Sequence, residues 1–65
     1  MDNNALRNKV KMIKANNIIN YYEIADKIGM SRKGFYNWLA GYYNLGEKRQ
    51  KILAQTIENI MSQKG

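Results

Sequence analysis

The stretch GMSRKGFYNW, Gly29 to Trp38, sets Ser31, Arg32, Lys33, Tyr36 and Asn37 beside two apolar rings, Phe35 and Trp38. Its polar members are hydrogen-bond donors or two-way hydrogen-bonding groups, suited to gripping a surface of acceptors. None is a base that would activate a nucleophile. The rest of the chain is equally poor in reaction chemistry. It has no cysteine and no histidine, and its aliphatic hydroxyls are Ser31, Ser62 and Thr56. Disulfides, the usual zinc sites, thiol nucleophiles and imidazole acid–base pairs are excluded together. No catalytic residue, metal, cofactor or small-molecule ligand is expected.

Charge narrows the class of partner. Eleven Lys and Arg against five Asp and Glu give +6 over 65 residues, a balance that attracts polyanions or anionic membrane surfaces. Apolar runs reach only two or three residues, so neither a membrane span nor a signal-peptide core is expected. The lack of cysteine suits a reducing cytoplasm, the expected location. An apolar share of 45% is enough for a packed core, and residues 1–65 read as one small domain.

The elements that carry these side chains read as helices. Leu6, Val10 and Ile13 recur at i, i+4 and i+7, predicting a helix from about Asn4 to Ala15. Met12 borders that stripe, and Arg7, Lys9, Lys11 and Lys14 take the solvent side. Asn16 and Asn17 form a plausible stop, because asparagine tolerates left-handed backbone angles. Asn20 and Glu23 have capping-box spacing, with Ile19 and Ile24 as a hydrophobic staple. The second helix then runs from Tyr21 to about Ile28, burying Ile24, Ala25 and Ile28, and Gly29 ends it. Ser31 is a good cap for a third helix with Phe35, Trp38 and Leu39 inward, and Gly41 closes it.

After a GYYN loop, Asn44 and Glu47 repeat the cap-and-Glu spacing before a final helix over about 45–63. That helix carries Ile52, Leu53, Ile57, Ile60 and Met61 on one side, and Lys48, Arg49 and Lys51 near its start. It reads either as one helix or as two broken near Gln55–Thr56. As a single helix its far half extends beyond a bundle of this size, leaving Ile57, Ile60 and Met61 unpartnered as a dimer stripe. No period-2 run is long enough for a strand. The expected class is all-α, a compact bundle of four or five helices.

Two short helices joined by a glycine-started turn form a helix-turn-helix unit, here about residues 20–40. Ala25 supplies the small residue for close approach, and Gly29 supplies the residue that accepts positive φ. Ile24, Ile28, Met30, Phe35 and Trp38 fix the crossing. Arg32, Lys33, Tyr36 and Asn37 occupy the outward start of the second member. With these residues in place, IADKIGMSRKGFYNWLAG resembles the phage repressor and Cro-type helix-turn-helix domains, the lambda repressor group in particular. The matching features are Ala25, Gly29, Met30 and Gly41, with Gly34 inside the third helix, and they cover about residues 20–45.

The resemblance implies that the third helix enters the major groove of a double-stranded DNA operator, with the protein as a homodimer on a palindromic site. Ser31, Arg32, Lys33, Tyr36 and Asn37 are then the base-reading candidates. Arg32 and Lys33 suit guanine O6 and N7, and Asn37 suits adenine or a phosphate. Tyr21, Tyr42, Tyr43, Asn44 and Lys48 are the backbone-contact candidates, and Ile57, Ile60 and Met61 the dimer candidates. The implied role is a small phage or mobile-element repressor of Cro type, acting by operator occupancy. The alternative is a protein-interaction module on the same fold, such as a host-polymerase-binding factor or an anti-defence inhibitor. A basic peptide acting at membranes fits poorly, because the caps and turns specify a folded unit.

Plainer roles stand beside these. Arg32 and Lys33 are alternatively solvated charges, although cations in a first turn oppose the helix dipole by about 0.3 kcal/mol or more. Phe35 and Trp38 are expected in the core and Tyr36 outside it. Tyr42 and Tyr43 suit phosphate, the core's edge or a partner surface. The basic side of the first helix serves either solubility or phosphate contact. Gly34 costs its helix about 1 kcal/mol relative to alanine, which points to a close approach by the second helix or by DNA.

Overall fold

The first three helices form where the chain carries a cap and a stop. The computed structural model describes residues 2–64, which form α1 (Asn3–Ala15), α2 (Tyr21–Lys27), α3 (Arg32–Leu39) and α4 (Glu47–Lys64). Asp2 caps α1, its side chain accepting from the Ala5 N–H at 2.8 Å, so the helix starts one residue ahead of the apolar pattern. At α2 the Asn20 N–H donates to Glu23 Oε2 at 3.1 Å, as the capping-box spacing predicts. At α3 Ser31 Oγ accepts from the Gly34 N–H at 3.1 Å.

The first three helices end in the same way. Asn17, Gly29 and Gly41 follow them with φ of 57°, 74° and 94°. One residue further on, Ile18, Met30 and Tyr42 donate back to Ile13, Ala25 and Asn37 at 3.2, 2.9 and 3.0 Å. These are Schellman closures, which satisfy carbonyls that the helix end leaves open. The closure at Gly29 sets the turn between α2 and α3. A Cβ added there meets nothing within 4 Å, so Gly29→Ala isolates the cost of the left-handed backbone. That cost is about 1–2 kcal/mol, to be seen as a lower urea midpoint with an unchanged slope.

α4 is one continuous helix of 18 residues. Thr56 does not break it, because its hydroxyl donates back to the Ile52 carbonyl at 2.8 Å. The helix begins two residues later than expected, at Glu47, and Asn44 is not its cap. Leu45 is buried ahead of it, and Gln50 Nε2 reaches back to the Leu45 carbonyl at 2.9 Å.

α2 packs on α3, and α1 packs along α4. The largest fully buried side chains are Trp38, Phe35, Leu6, Ile24, Leu53, Ile57 and Val10. The molecule measures 31 × 19 × 19 Å. A helix of 18 residues is about 27 Å long, so α4 spans the domain and does not overrun it. This corrects the expected dimer stripe. Ile57 and Ile60 are 2% and 6% exposed, buried within their own chain. Ile18 and Ile19, in the connection after α1, fold against the core, and Ile60 lies beside them. Met61 stays outside at 47% exposure, and Ile52 and Met12 are also exposed.

The described residues make an all-helical globule of four helices with no strand. No helix among them is long and apolar enough to cross a membrane.

Candidate nucleic-acid interface

α3 has two unlike sides. Phe35 and Trp38 are fully buried, their ring centroids 5.5 Å apart. Arg32, Lys33 and Tyr36 are exposed and Asn37 half-buried. Spacings of three and four residues put these outward side chains next to one another on one helical face. Ser31, just before them, is exposed with its oxygen engaged as the cap.

The inward side is tied to α1. Trp38 Nε1 donates to Asn3 Oδ1 at 2.8 Å, and the same oxygen accepts from the Leu45 N–H at 2.8 Å. Arg7 makes the larger connection, and its position corrects the expectation of a solvated charge. It is 9% exposed, with Nε donating to the Trp38 carbonyl at 2.6 Å. Nη2 donates to the Tyr43 carbonyl at 2.7 Å and to Asn44 Oδ1 at 3.0 Å, and Nη1 donates to Asn4 Oδ1 at 3.1 Å. Its guanidinium carbon lies 5.2 Å from the centre of the Trp38 ring. These acceptors are all neutral oxygens. The carbonyl end of α3 supplies the partial negative charge that suits a cation.

Arg7 thereby fixes the loop that follows α3. Tyr43, 41% exposed, donates its hydroxyl proton to the Gly34 carbonyl at 2.7 Å. A phenol has one proton and a phosphate only accepts, so Tyr43 spends its donor inside the chain. Tyr42, at 80% exposure, projects from the same loop. Asn44 is exposed but offers its side-chain oxygen to Arg7. Lys48 is exposed in the first turn of α4. The loop also accounts for Gly34. A Cβ there would lie 2.9 Å from Ser31 Oγ and 3.4 Å from the Tyr43 hydroxyl. The glycine makes room for the cap and the loop tyrosine, and α2 is not among the atoms nearest to it.

The first turn of α2 lies against the edge of the outward face. Tyr21 is half-buried, with its ring edge-on to Tyr36 at 5.9 Å and tilted against Phe35 at 6.4 Å. Tyr22 lies under Arg32, a contact that no spacing in the sequence signals. The guanidinium carbon is 4.7 Å from the centre of the Tyr22 ring.

Charge is unevenly spread. No acidic residue occurs between Asp26 and Glu47, a span that holds Lys27, Arg32 and Lys33. α2 itself carries Glu23 and Asp26, and most of the cations, Arg7, Lys9, Lys11, Lys14, Lys48, Arg49 and Lys51, lie on α1 and α4 with Glu47 and Glu58. The described residues contain no cluster of metal-ligating side chains. A small apolar groove lined by Met12, Ile13, Ile18 and Met61 lies between α1 and α4, on elements other than α2 and α3.

Of the sequence-derived candidates, the structure gathers Arg32, Lys33, Tyr36 and Asn37 on one face, with Ser31 at its start and Tyr21 at its edge. Tyr42 and Lys48 remain exposed, and Tyr43 and Asn44 are engaged within the chain. Ile57 and Ile60 leave the interface for the core. No family model matches the chain, and no curated protein or solved structure matches it.

Proposed function

We propose that this chain is a helix-turn-helix regulator that reads double-stranded DNA by laying α3 in the major groove. The observation that supports it is the outward side of α3. Two adjacent cations, a tyrosine and an asparagine project from a helix anchored by buried rings, in a span without an acid. An α-helix with its side chains is about 10–12 Å across and the major groove about 12 Å wide, dimensions that match.

In this reading Arg32 and Lys33 donate to guanine O6 and N7, and Asn37 pairs with adenine or meets a phosphate. Tyr42 and Lys48 grip the backbone, which sets register and supplies the salt-dependent part of affinity. On this reading the protein acts by occupying an operator, as a homodimer on a palindrome, in the manner of a Cro-type phage or mobile-element repressor. The location is the cytoplasm, on the nucleoid.

The test is a mobility shift with the DNA upstream of the protein's own gene at near-physiological salt. The proposal predicts a preference for that DNA over random duplex. Arg32→Ala should weaken operator binding by about 1–3 kcal/mol and flatten selectivity at one base pair. Wild-type protein without any preference would overturn the proposal. The exposed Met12 and Met61, flanking an apolar floor, favour a second reading as a protein-interaction module. That reading predicts no DNA selectivity, and loss of partner binding on Met61→Asp.

A further inference from the structure

Tyr22 is an aromatic residue outside the core. It sits in the first turn of α2 at 37% exposure. Arg32, an exposed side chain at the start of α3, places its guanidinium carbon 4.7 Å from the Tyr22 ring centre. That is inside the roughly 6 Å over which a ring's quadrupole attracts a cation. The contact engages the charge and leaves the N–H donors free for acceptors beyond the protein. The neighbouring residue repeats the arrangement, since Tyr21 meets Tyr36 edge-on at 5.9 Å. Adjacent tyrosines of α2 thus each hold one outward side chain of α3.

We infer that Tyr22 is a specificity-determining positioning residue that holds Arg32 over its ring in the orientation that reads one guanine. The inference rests on the reading of α3 as the base-contacting helix. The physical reason is entropy. An unrestrained arginine carries about 2 kcal/mol of rotamer freedom, which correct base pairing has to overcome. A free arginine also reaches nearby phosphates, which are the same at every sequence. Confinement on the ring before DNA arrives lowers the first cost and removes the second choice, so it raises discrimination more than affinity.

The test uses the intact chain with Tyr22→Phe and Tyr22→Leu, alone and combined with Arg32→Ala. Urea midpoints verify that each variant folds. Binding is measured by fluorescence anisotropy on the duplex upstream of the protein's own gene, on single-base-pair variants of it, and on random duplex. Tyr22→Leu should lower discrimination at one base pair about two- to fivefold, the fold-change that an exposed cation–π contact supplies. Its affinity for random duplex should be unchanged. Tyr22→Phe, which keeps the ring, should retain wild-type discrimination, and Tyr22→Leu should add nothing in the Arg32→Ala background.

A readout without DNA accompanies these. In free wild-type protein, NMR should show Arg32 side-chain protons shifted by the ring current, and Tyr22→Leu should abolish the shift. Unchanged discrimination in Tyr22→Leu would overturn the inference. So would an equal loss in the Arg32→Ala background, or Phe as damaging as Leu, which would place the hydroxyl itself on DNA. Wild-type protein that does not distinguish its upstream duplex from random DNA fails one step earlier, overturning the functional reading along with this one.

Discussion

Arg7→Ala is expected to destabilise the domain by about 2–4 kcal/mol, from the stranded Trp38 carbonyl, the lost hydrogen bonds of a charged donor and the lost contact with the Trp38 ring. The reason lies in what the substitution strands. The Trp38 and Tyr43 carbonyls and the side-chain oxygens of Asn4 and Asn44 all accept from this one guanidinium. Only the bond to the Trp38 carbonyl is buried, and stranding that acceptor costs about 1–3 kcal/mol, whereas water can reach the oxygens of Tyr43, Asn4 and Asn44. A domain of this length has a total stability of about 3–10 kcal/mol, so the loss is a large share of it. Arg7→Lys should not rescue it. An ammonium on a flexible stem cannot present donors at the angles that the planar fork uses, nor lie flat against the Trp38 ring. Urea titration followed by circular dichroism measures both. A loss below about 1 kcal/mol in Arg7→Ala would mean that the network is only a surface feature.

Ile57→Ala and Ile60→Ala are expected to cost about 2–4 kcal/mol each, because both empty space inside a single chain. The distinguishing feature is concentration. Side chains buried within the monomer give melting temperatures that shift equally at every protein concentration. Side chains buried only between copies give losses that shrink as concentration rises. Wild-type stability in these variants, together with loss of self-association by sedimentation, would restore α4's stripe to the dimer interface.

Much of the fold is legible in local chemistry. The caps Asn20–Glu23 and Ser31, the stops at Asn17, Gly29 and Gly41, and the inward residues of α1 to α3 act through neighbours within a turn or two. Rules of spacing see such neighbours. What escapes them is long-range. Arg7 meets acceptors more than 30 positions away, and its only trace in the sequence is a polar line with Asn3 and Asn4 beside the apolar stripe. Ile57 and Ile60 read as surplus because the covering residues, Ile18 and Ile19, lie in a connection between helices.

The candidate site divides along the same line. Arg32, Lys33, Tyr36 and Asn37 are recoverable because their face follows from the helix's own period. Tyr22 is not, because its use depends on how α2 crosses α3. Tyr43 and Gly34 make sense only together, since a hydroxyl in the loop and a missing Cβ in α3 occupy one small volume.

Central to this account is that α3 reads DNA sequence. The most direct test is selection of binding sites from a random double-stranded library by the intact chain, at ionic strength of about 0.15 M. The expected result is a recovered motif, affinity for it that falls log-linearly with salt, and selectivity flattened at one base pair in Arg32→Ala. Recovery of no motif, with wild-type and Arg32→Ala proteins retaining the same DNA, would contradict it.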